Sequence, residues 1–254
     1  GIFNFKLLKN IKQFPDNSVL RNLGIDTSDE NMVVKNYIKA QEEINERDGK
    51  SIRFLKTHSA LSNINGNPFT NLKNSLGVIY IVRDPRKIIN SYANHSGLSL
   101  EESQKRILEV ITLGGENETV NKTIIHAGSW SSNYQSWKEF KKTDRYLLIK
   151  FEDLVSYPEK TFTAVLNFIY KLNKSKEEID KTKLTKTINS TTFEYLQNLE
   201  KKESFEEATI GSDNKKNKFF KYGLKNDGIK NVPENLRKNL EKALKNELNE
   251  LGYL

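Results

Sequence analysis

An α/β fold with a mostly parallel central sheet follows from three features of the chain. Three short apolar runs have strand length: Ile52-Arg53-Phe54-Leu55, Val78-Ile79-Tyr80-Ile81-Val82 and Tyr146-Leu147-Leu148-Ile149. The second is continuous, not alternating, as expected of a strand covered on both faces. Segments with helical spacing lie between and after these runs, and strands alternating with helices build parallel sheets. Composition agrees, since 254 residues with 36% hydrophobic content suffice for one domain spanning 1–254. A domain of that size buries roughly 70–75% of its unfolded surface, which excludes disorder of the whole chain. No apolar run approaches the ~18 residues of a membrane helix.

Taken in order, the first 50 residues read as loosely helical, with turn chemistry at Phe14-Pro15-Asp16-Asn17-Ser18 and a polar stretch over 41–50 before the first strand. A helix over 85–94 starts with Pro85 near its first position, where the missing N–H costs nothing. Helices over 100–113 and 129–140 follow, separated by a loop around Gly114-Gly115. Pro158 opens a helix with Phe162, Val165, Leu166 and Ile169 on one face. Ser175 and Glu178 have capping-box spacing, which predicts another helix start. Residues 201–218 are charged and Asn/Lys-rich, the composition of a mobile loop. Leu236, Leu240, Leu244 and Leu248, closed by Leu251, predict one amphipathic C-terminal helix.

Composition also removes whole classes of chemistry. With Cys 0 there are no disulfides, iron–sulfur clusters, thiol nucleophiles or thiolate zinc sites; a reducing, cytoplasmic location suits such a chain. His58, His95 and His126 are the only histidines, none three or four residues from another, so no metal site is expected. The formal charge of +8, from 41 Lys and Arg against 33 Asp and Glu, fits an anionic ligand or nucleic acid. It fits equally a plain Lys- and Asn-rich composition. The chain opens on Gly1, not Met, so processing or an absent upstream stretch is expected, and a targeting signal there is not observable.

Two places carry candidate chemistry. In Val82-Arg83-Asp84-Pro85-Arg86 the strongest strand ends and a helix begins. Ligands of open α/β sheets bind at such carboxyl ends, where Arg83 and a helix N-terminus suit a phosphate. Ser91 adds a hydroxyl; the alternative is a surface Arg83 paired with Asp84 or another acid. At the equivalent end of the first strand, Lys56-Thr57-His58 offers a fixed charge and a group able to accept a proton; the alternative is a structural histidine. Trp130, Tyr134 and Trp137 in the segment from Gly128 fall on one helix side, the pattern of core packing. The two-glycine spacing of Gly223-Leu224-Lys225-Asn226-Asp227-Gly228 lacks both the Lys-Ser/Thr of a P-loop and a preceding strand.

In order, Lys56-Thr57-His58, the run from Val78 to Arg86 with Ser91, Gly128-Ser129-Trp130 and Phe151-Glu152-Asp153-Leu154 resemble the sulfotransferases that use 3′-phosphoadenosine 5′-phosphosulfate (PAPS), and among them bacterial sulfotransferase-domain proteins. The resemblance runs from about residue 52 to the C-terminus. It implies a three-layer fold like that of P-loop nucleoside triphosphate hydrolases, and transfer of a sulfuryl group from PAPS to a hydroxyl or amine acceptor. No metal, nucleic acid or membrane span belongs to this expectation. By position, Arg83 and Ser91 match the residues holding the nucleotide's 3′-phosphate, His58 the general base, and Lys56 a lysine beside the transferring group. Phe151 matches a position usually held by Tyr near the nucleotide. Phe219-Phe220-Lys221-Tyr222-Gly223 resembles the Arg-Lys-Gly loop over the 3′-phosphate, with Lys221 for Arg and Tyr222 for Lys.

The family's first strand and its Pro-Lys-x-Gly-Thr/Asn-Thr/Ser loop around the 5′-phosphosulfate have no counterpart in this sequence. The chain is therefore expected to be an N-terminally truncated fragment, inactive without the loop that supplies the main sulfonate-binding lysine. The rival expectation is a degenerate, non-catalytic module for PAP (the 3′,5′-bisphosphate product), polyanions or nucleic acid, motivated by the +8 charge. Acceptor specificity is assigned to the loops 59–75, 96–128 and 201–218.

Overall fold

The computed structural model describes residues 3–46, 52–114, 123–203, 205, 218–221 and 229–254. A 3-10 turn, Phe5–Asn10, leads into β1 (Lys12–Gln13). The Asp16 carboxylate caps α1 (Asn17–Asn22) by accepting from the Ser18 and Val19 amides. Asp29 caps α2 (Glu30–Lys35) in the same way, and α3 (Tyr37–Glu46) follows. Together they bury Leu20, Val33, Val34, Tyr37 and Ala40 in a core completed by Phe14, Phe69, Trp137 and Phe140. Its rings meet edge-on or tilted, with Tyr37 and Phe69 centroids 5.3 Å apart, the geometry aromatic quadrupoles favour. Burial pushes the Tyr37 hydroxyl up to about 12.

The first expected strand is shorter than its apolar run: only β2 (Leu55–Lys56) pairs, in parallel with β1. β3 (Asn63–Ile64) and β4 (Asn67–Pro68) form a hairpin whose two turn residues, Asn65 and Gly66, both have positive φ, as a type I′ turn requires. β5 (Val78–Val82) forms as expected. It is incompletely covered, however: Val82 is buried but Ile81 is 58% exposed. Asp84 caps α4 (Pro85–Ser96), which stops at Gly97 in the left-handed region.

The helix expected over 100–113 ends early. α5 (Leu100–Leu108) has a complete Ser99–Glu102 capping box, and its C-cap Glu109 is already extended. Beyond it, β6 (Ile111–Leu113) pairs antiparallel with β7 (Ile125–Gly128). Ile111 and Leu113 flank Thr112 in a period of two, which a local helical count absorbs without trace.

Gly128 has φ +73, and a Cβ there would lie 2.6 Å from Ser132 Oγ. That tight corner hands the chain to α6 (Trp130–Trp137), capped by a Ser129–Ser132 box. Tyr134 and Trp137 are buried, so this stripe is core, as its spacing indicated. A 3-10 turn, Lys138–Thr143, precedes β8 (Tyr146–Lys150), which lies parallel to β5 with Val78 opposite Tyr146 and Val82 opposite Lys150. A short helix that the pattern gave no sign of, α7 (Phe151–Ser156), follows directly; α8 (Pro158–Asn173) is as expected.

Ser175 does not start a helix. Its Oγ accepts from the Glu177 amide, a local turn that uses up the cap, and α9 (Lys181–Asn189) starts from Asp180 instead. α10 (Phe193–Lys202) is capped by Thr192; the mobile loop expected over 201–218 lies for the most part outside the described residues. The C-terminal leucines form two helices, α11 (Glu234–Ala243) and α12 (Lys245–Glu250). The backbone breaks at Leu244, with ψ 21, yet Leu236, Leu240, Leu244 and Leu248 stay in one core with Ile89 and Ile107. No described helix is long and apolar enough to cross a membrane.

Candidate active site

β5 and β8 end side by side, and their last residues, Val82 and Lys150, are paired. The chain therefore places Arg83 and Phe151, each one residue beyond its strand, next to each other. Arg83 Cζ lies 4.5 Å from the Phe151 ring centroid, a cation–π contact. Burial lowers the Arg83 guanidinium, opposed by the charges of Glu152, Asp84 and Tyr253. Its Nε is buried without a hydrogen-bond partner, a costly state unless an anion supplies one.

Asp84 does not pair with Arg83. Its carboxylate caps α4 through the Arg86 amide at 2.9 Å and forms a fork with Arg86, 3.0 Å to Nε and 2.8 Å to Nη2. This corrects the expectation of a free helix N-terminus: the positive end of α4 is already occupied by a carboxylate. Arg86 further binds Glu241 at 2.9 Å and the Tyr253 carbonyl at 2.6 Å. Tyr253 in turn donates to Glu152 Oε2 at 2.9 Å, while Glu152 Oε1 accepts the Asp84 amide at 3.2 Å. The two arginines of Arg83-Asp84-Pro85-Arg86 thus differ in kind. Arg86 is a structural tie, and Arg83 keeps donor capacity.

Ser91 Oγ donates to the Ile88 carbonyl at 2.8 Å, which leaves its lone pairs unused. Asn94, one turn on along the same helix face, accepts from Lys221 Nζ at 3.1 Å. The His95 and Phe219 rings are 5.8 Å apart, so the segment 218–221 is docked on α4. Arg83, Ser91 and Lys221 are therefore disposed about one helix. Tyr222 and Gly223 lie outside the described residues.

Lys56, the last residue of β2, and His58, two residues on, are both exposed. The backbone around them is held firmly: the Phe14 amide donates to the Lys56 carbonyl at 2.9 Å. The next residues are fixed by α6, where Asn133 Nδ2 donates to the His58 carbonyl at 3.1 Å, Trp137 Nε1 to that of Ser59 at 2.9 Å, and the Leu61 amide to Ser136 Oγ at 2.9 Å. Asn133 Oδ1 accepts from Tyr80 of β5 at 2.9 Å, so the His58 segment is tied to the strand that presents Arg83. Among the described residues no group of three or more His, Asp or Glu is placed to hold a metal ion.

The sequence matches the sulfotransferase domain over residues 7–252. The chain belongs to the sulfotransferase family. Curated relatives include Sulfotransferase 1A1 of Mus musculus, 26% identical over 117 residues, which are 46% of this chain and 38% of that protein. Sulfotransferase 1C2 of Homo sapiens is 24% identical over 58% of this chain and 45% of its own length. The matched stretch thus spans less than half of each relative. Two solved structures share the sulfotransferase fold. Mouse sulfotransferase SULT7A1 in complex with PAP has TM-score 0.53, 18% identity and coverage of 82% of this chain and 69% of that one. Retinol dehydratase, in complex with androsterone and PAP, has TM-score 0.56, 16% identity and coverage of 82% and 57%.

Within this sulfotransferase fold, the residues singled out by sequence fall into two arms. Arg83, Ser91, Phe151 and Lys221 surround the start and face of α4, while Lys56 and His58 stand at the end of β2. Sequence reasoning missed Arg86, Asn133, Glu152 and Tyr253. The polar signal of Asn133 was hidden by the aromatic stripe around it, and that of Tyr253 by its distance in the chain.

Proposed function

We propose that the intact protein transfers a sulfuryl group from PAPS to a hydroxyl or amine acceptor. The observation that carries this reading is Arg83: a half-buried guanidinium whose buried Nε has no partner, laid on Phe151, at the strand end where Ser91 and Lys221 flank the same helix. Arg83 and Lys221 suit the 3′-phosphate of PAPS, which the matched structures' ligand PAP also carries, and Ser91 joins them once its proton turns from the Ile88 carbonyl to the phosphate. His58 takes the proton from the acceptor hydroxyl. The acceptor oxygen then attacks sulfur, and the bond from sulfur to the bridging oxygen breaks with its electron pair leaving on PAP. Lys56 offsets negative charge on the transferring group. Catalysis is positioning and electrostatics, as in phosphoryl transfer.

The decisive experiment compares PAP with ADP by isothermal titration calorimetry, then assays turnover with PAPS in the full-length protein. PAP should bind about 10–100-fold more tightly than ADP, the worth of one charge-assisted hydrogen bond. His58→Ala should lower turnover about 10²–10⁴-fold, the usual share of a general base. Equal binding of PAP and ADP, with affinity falling steeply in salt, would instead identify a polyanion-binding module. PAP binding without turnover would identify a degenerate, non-catalytic sulfotransferase.

A further inference from the structure

Asn133 sits in the second turn of α6, the helix whose aromatic stripe is core. Both ends of its side-chain amide are nevertheless engaged in hydrogen bonds. Nδ2 donates to two carbonyls, Ala127 at 2.8 Å and His58 at 3.1 Å, and Oδ1 accepts the Tyr80 hydroxyl at 2.9 Å. The Ala127 and His58 carbonyls can only accept, so they fix the amide nitrogen toward themselves and turn Oδ1 to the Tyr80 hydroxyl, which donates to it. Burial raises the Tyr80 hydroxyl above its ordinary value, so it remains a donor at any physiological pH.

The three partners belong to three different elements: β5, the end of β7, and the stretch after β2 that carries His58. That stretch has no ladder of its own at residue 58, since β2 ends at Lys56. Ser59, Ala60 and Leu61 are held by Trp137, the His126 carbonyl and Ser136; the Ser59 amide donates locally to Thr57 Oγ1, and Asn133 reaches the His58 carbonyl from α6. We infer that Asn133 is a positioning residue of the His58 arm: it fixes the His58 carbonyl relative to the strand that presents Arg83, and the Tyr80 hydroxyl ties it to that strand. The inference rests on the reading of His58 as general base for its consequence in catalysis, but not for the contact itself. A base displaced by about 1 Å loses up to 10²-fold in rate.

The test uses Asn133→Ala and the milder Tyr80→Phe, which removes a single hydroxyl. Ring cross-peaks of His58, His95 and His126 in an NMR spectrum, assigned with His58→Gln, His95→Gln and His126→Gln, report each imidazole separately. Both variants should move the His58 cross-peak and leave that of His95 in place. In turnover assays of the full-length protein, Asn133→Ala should lower kcat about 10–100-fold with KM for PAPS unchanged. An unmoved His58 cross-peak in both variants overturns the inference. So does a movement of all three histidines together with a loss of PAP affinity, which marks a general structural role. If His58→Ala retains full turnover, the base reading fails by itself, and the NMR result still decides whether Asn133 positions His58.

Discussion

Replacing Arg86 by Met separates the two arginines of Arg83-Asp84-Pro85-Arg86. Arg86 is 8% exposed and Asp84 2%, and among the described residues the guanidinium is the carboxylate's ionic partner, at 2.8 Å. Removing it strands a buried charge, which costs about 3–5 kcal/mol. The contact to Glu241 adds little, because that side chain is solvent-accessible (30%) and regains water. Against a usual total stability of about 5–15 kcal/mol, that is a large fraction. In a chain of this length it corresponds to a fall in Tm of roughly 6–20 °C. Urea unfolding gives the free energy directly, as a lower midpoint at unchanged slope. The sharper measurement adds Asp84→Asn, which keeps a helix cap but removes the stranded charge. The double variant should be more stable than Arg86→Met alone, by about 0.5–3 kcal/mol, the range of coupling between contacting residues. A double variant as unstable as Arg86→Met would refute the account, since the penalty would then not reside in the Asp84 charge. Arg83→Met is the matched control: it should leave the unfolding midpoint near that of the parent and abolish the preference for PAP over ADP.

Other perturbations follow from the same contacts. Tyr253→Phe removes the donor that holds Glu152 Oε2; Glu152 is then free to turn to Arg83, and calorimetry should show weaker PAP binding, whereas unchanged affinity would show that the tether is irrelevant. Gly128→Ala combines a positive φ with a 2.6 Å approach to Ser132 Oγ, so stability should fall by at least about 1–2 kcal/mol, and a raised Tm would contradict the local geometry. The hydrogen bond from Lys138, followed by that from Tyr134, holds Glu250 below its ordinary value of 4.5. A carboxyl depressed in the folded state stabilises above the unfolded value and loses that contribution as pH falls through the folded one. Acid unfolding curves should therefore be shallower below pH 4.5 for Lys138→Met than for the parent, and identical slopes would remove Glu250 from the account.

Much of the architecture was legible because its signals are local. Val78–Val82 and Tyr146–Lys150 announce themselves by consecutive apolar residues, and α8 by its spacing after Pro158. Where two local signals compete, the sequence misleads. Ile111-Thr112-Leu113 satisfies a helical count and a strand alternation alike, and pairing with β7 decides between them. Ser175 has capping-box spacing, but a closer amide, that of Glu177, takes its hydroxyl first. The leucines of the last helical stretch keep their shared core across a backbone break because burial constrains the face and not the continuity of the helix.

The sequence by itself determined the order of the family motifs, the strands that end at Arg83 and Phe151, and the residue types able to hold a phosphate or accept a proton. The tertiary structure decided which of them are available. Arg83 and Arg86 are three residues apart and chemically identical, yet one is consumed by Asp84, Glu241 and Tyr253 while the other retains an unpartnered Nε. Two of those partners lie 155 and 167 residues further along the chain. Residue type and helical or strand period are properties of a short window, but the satisfaction of a hydrogen-bonding group depends on whatever the fold brings beside it.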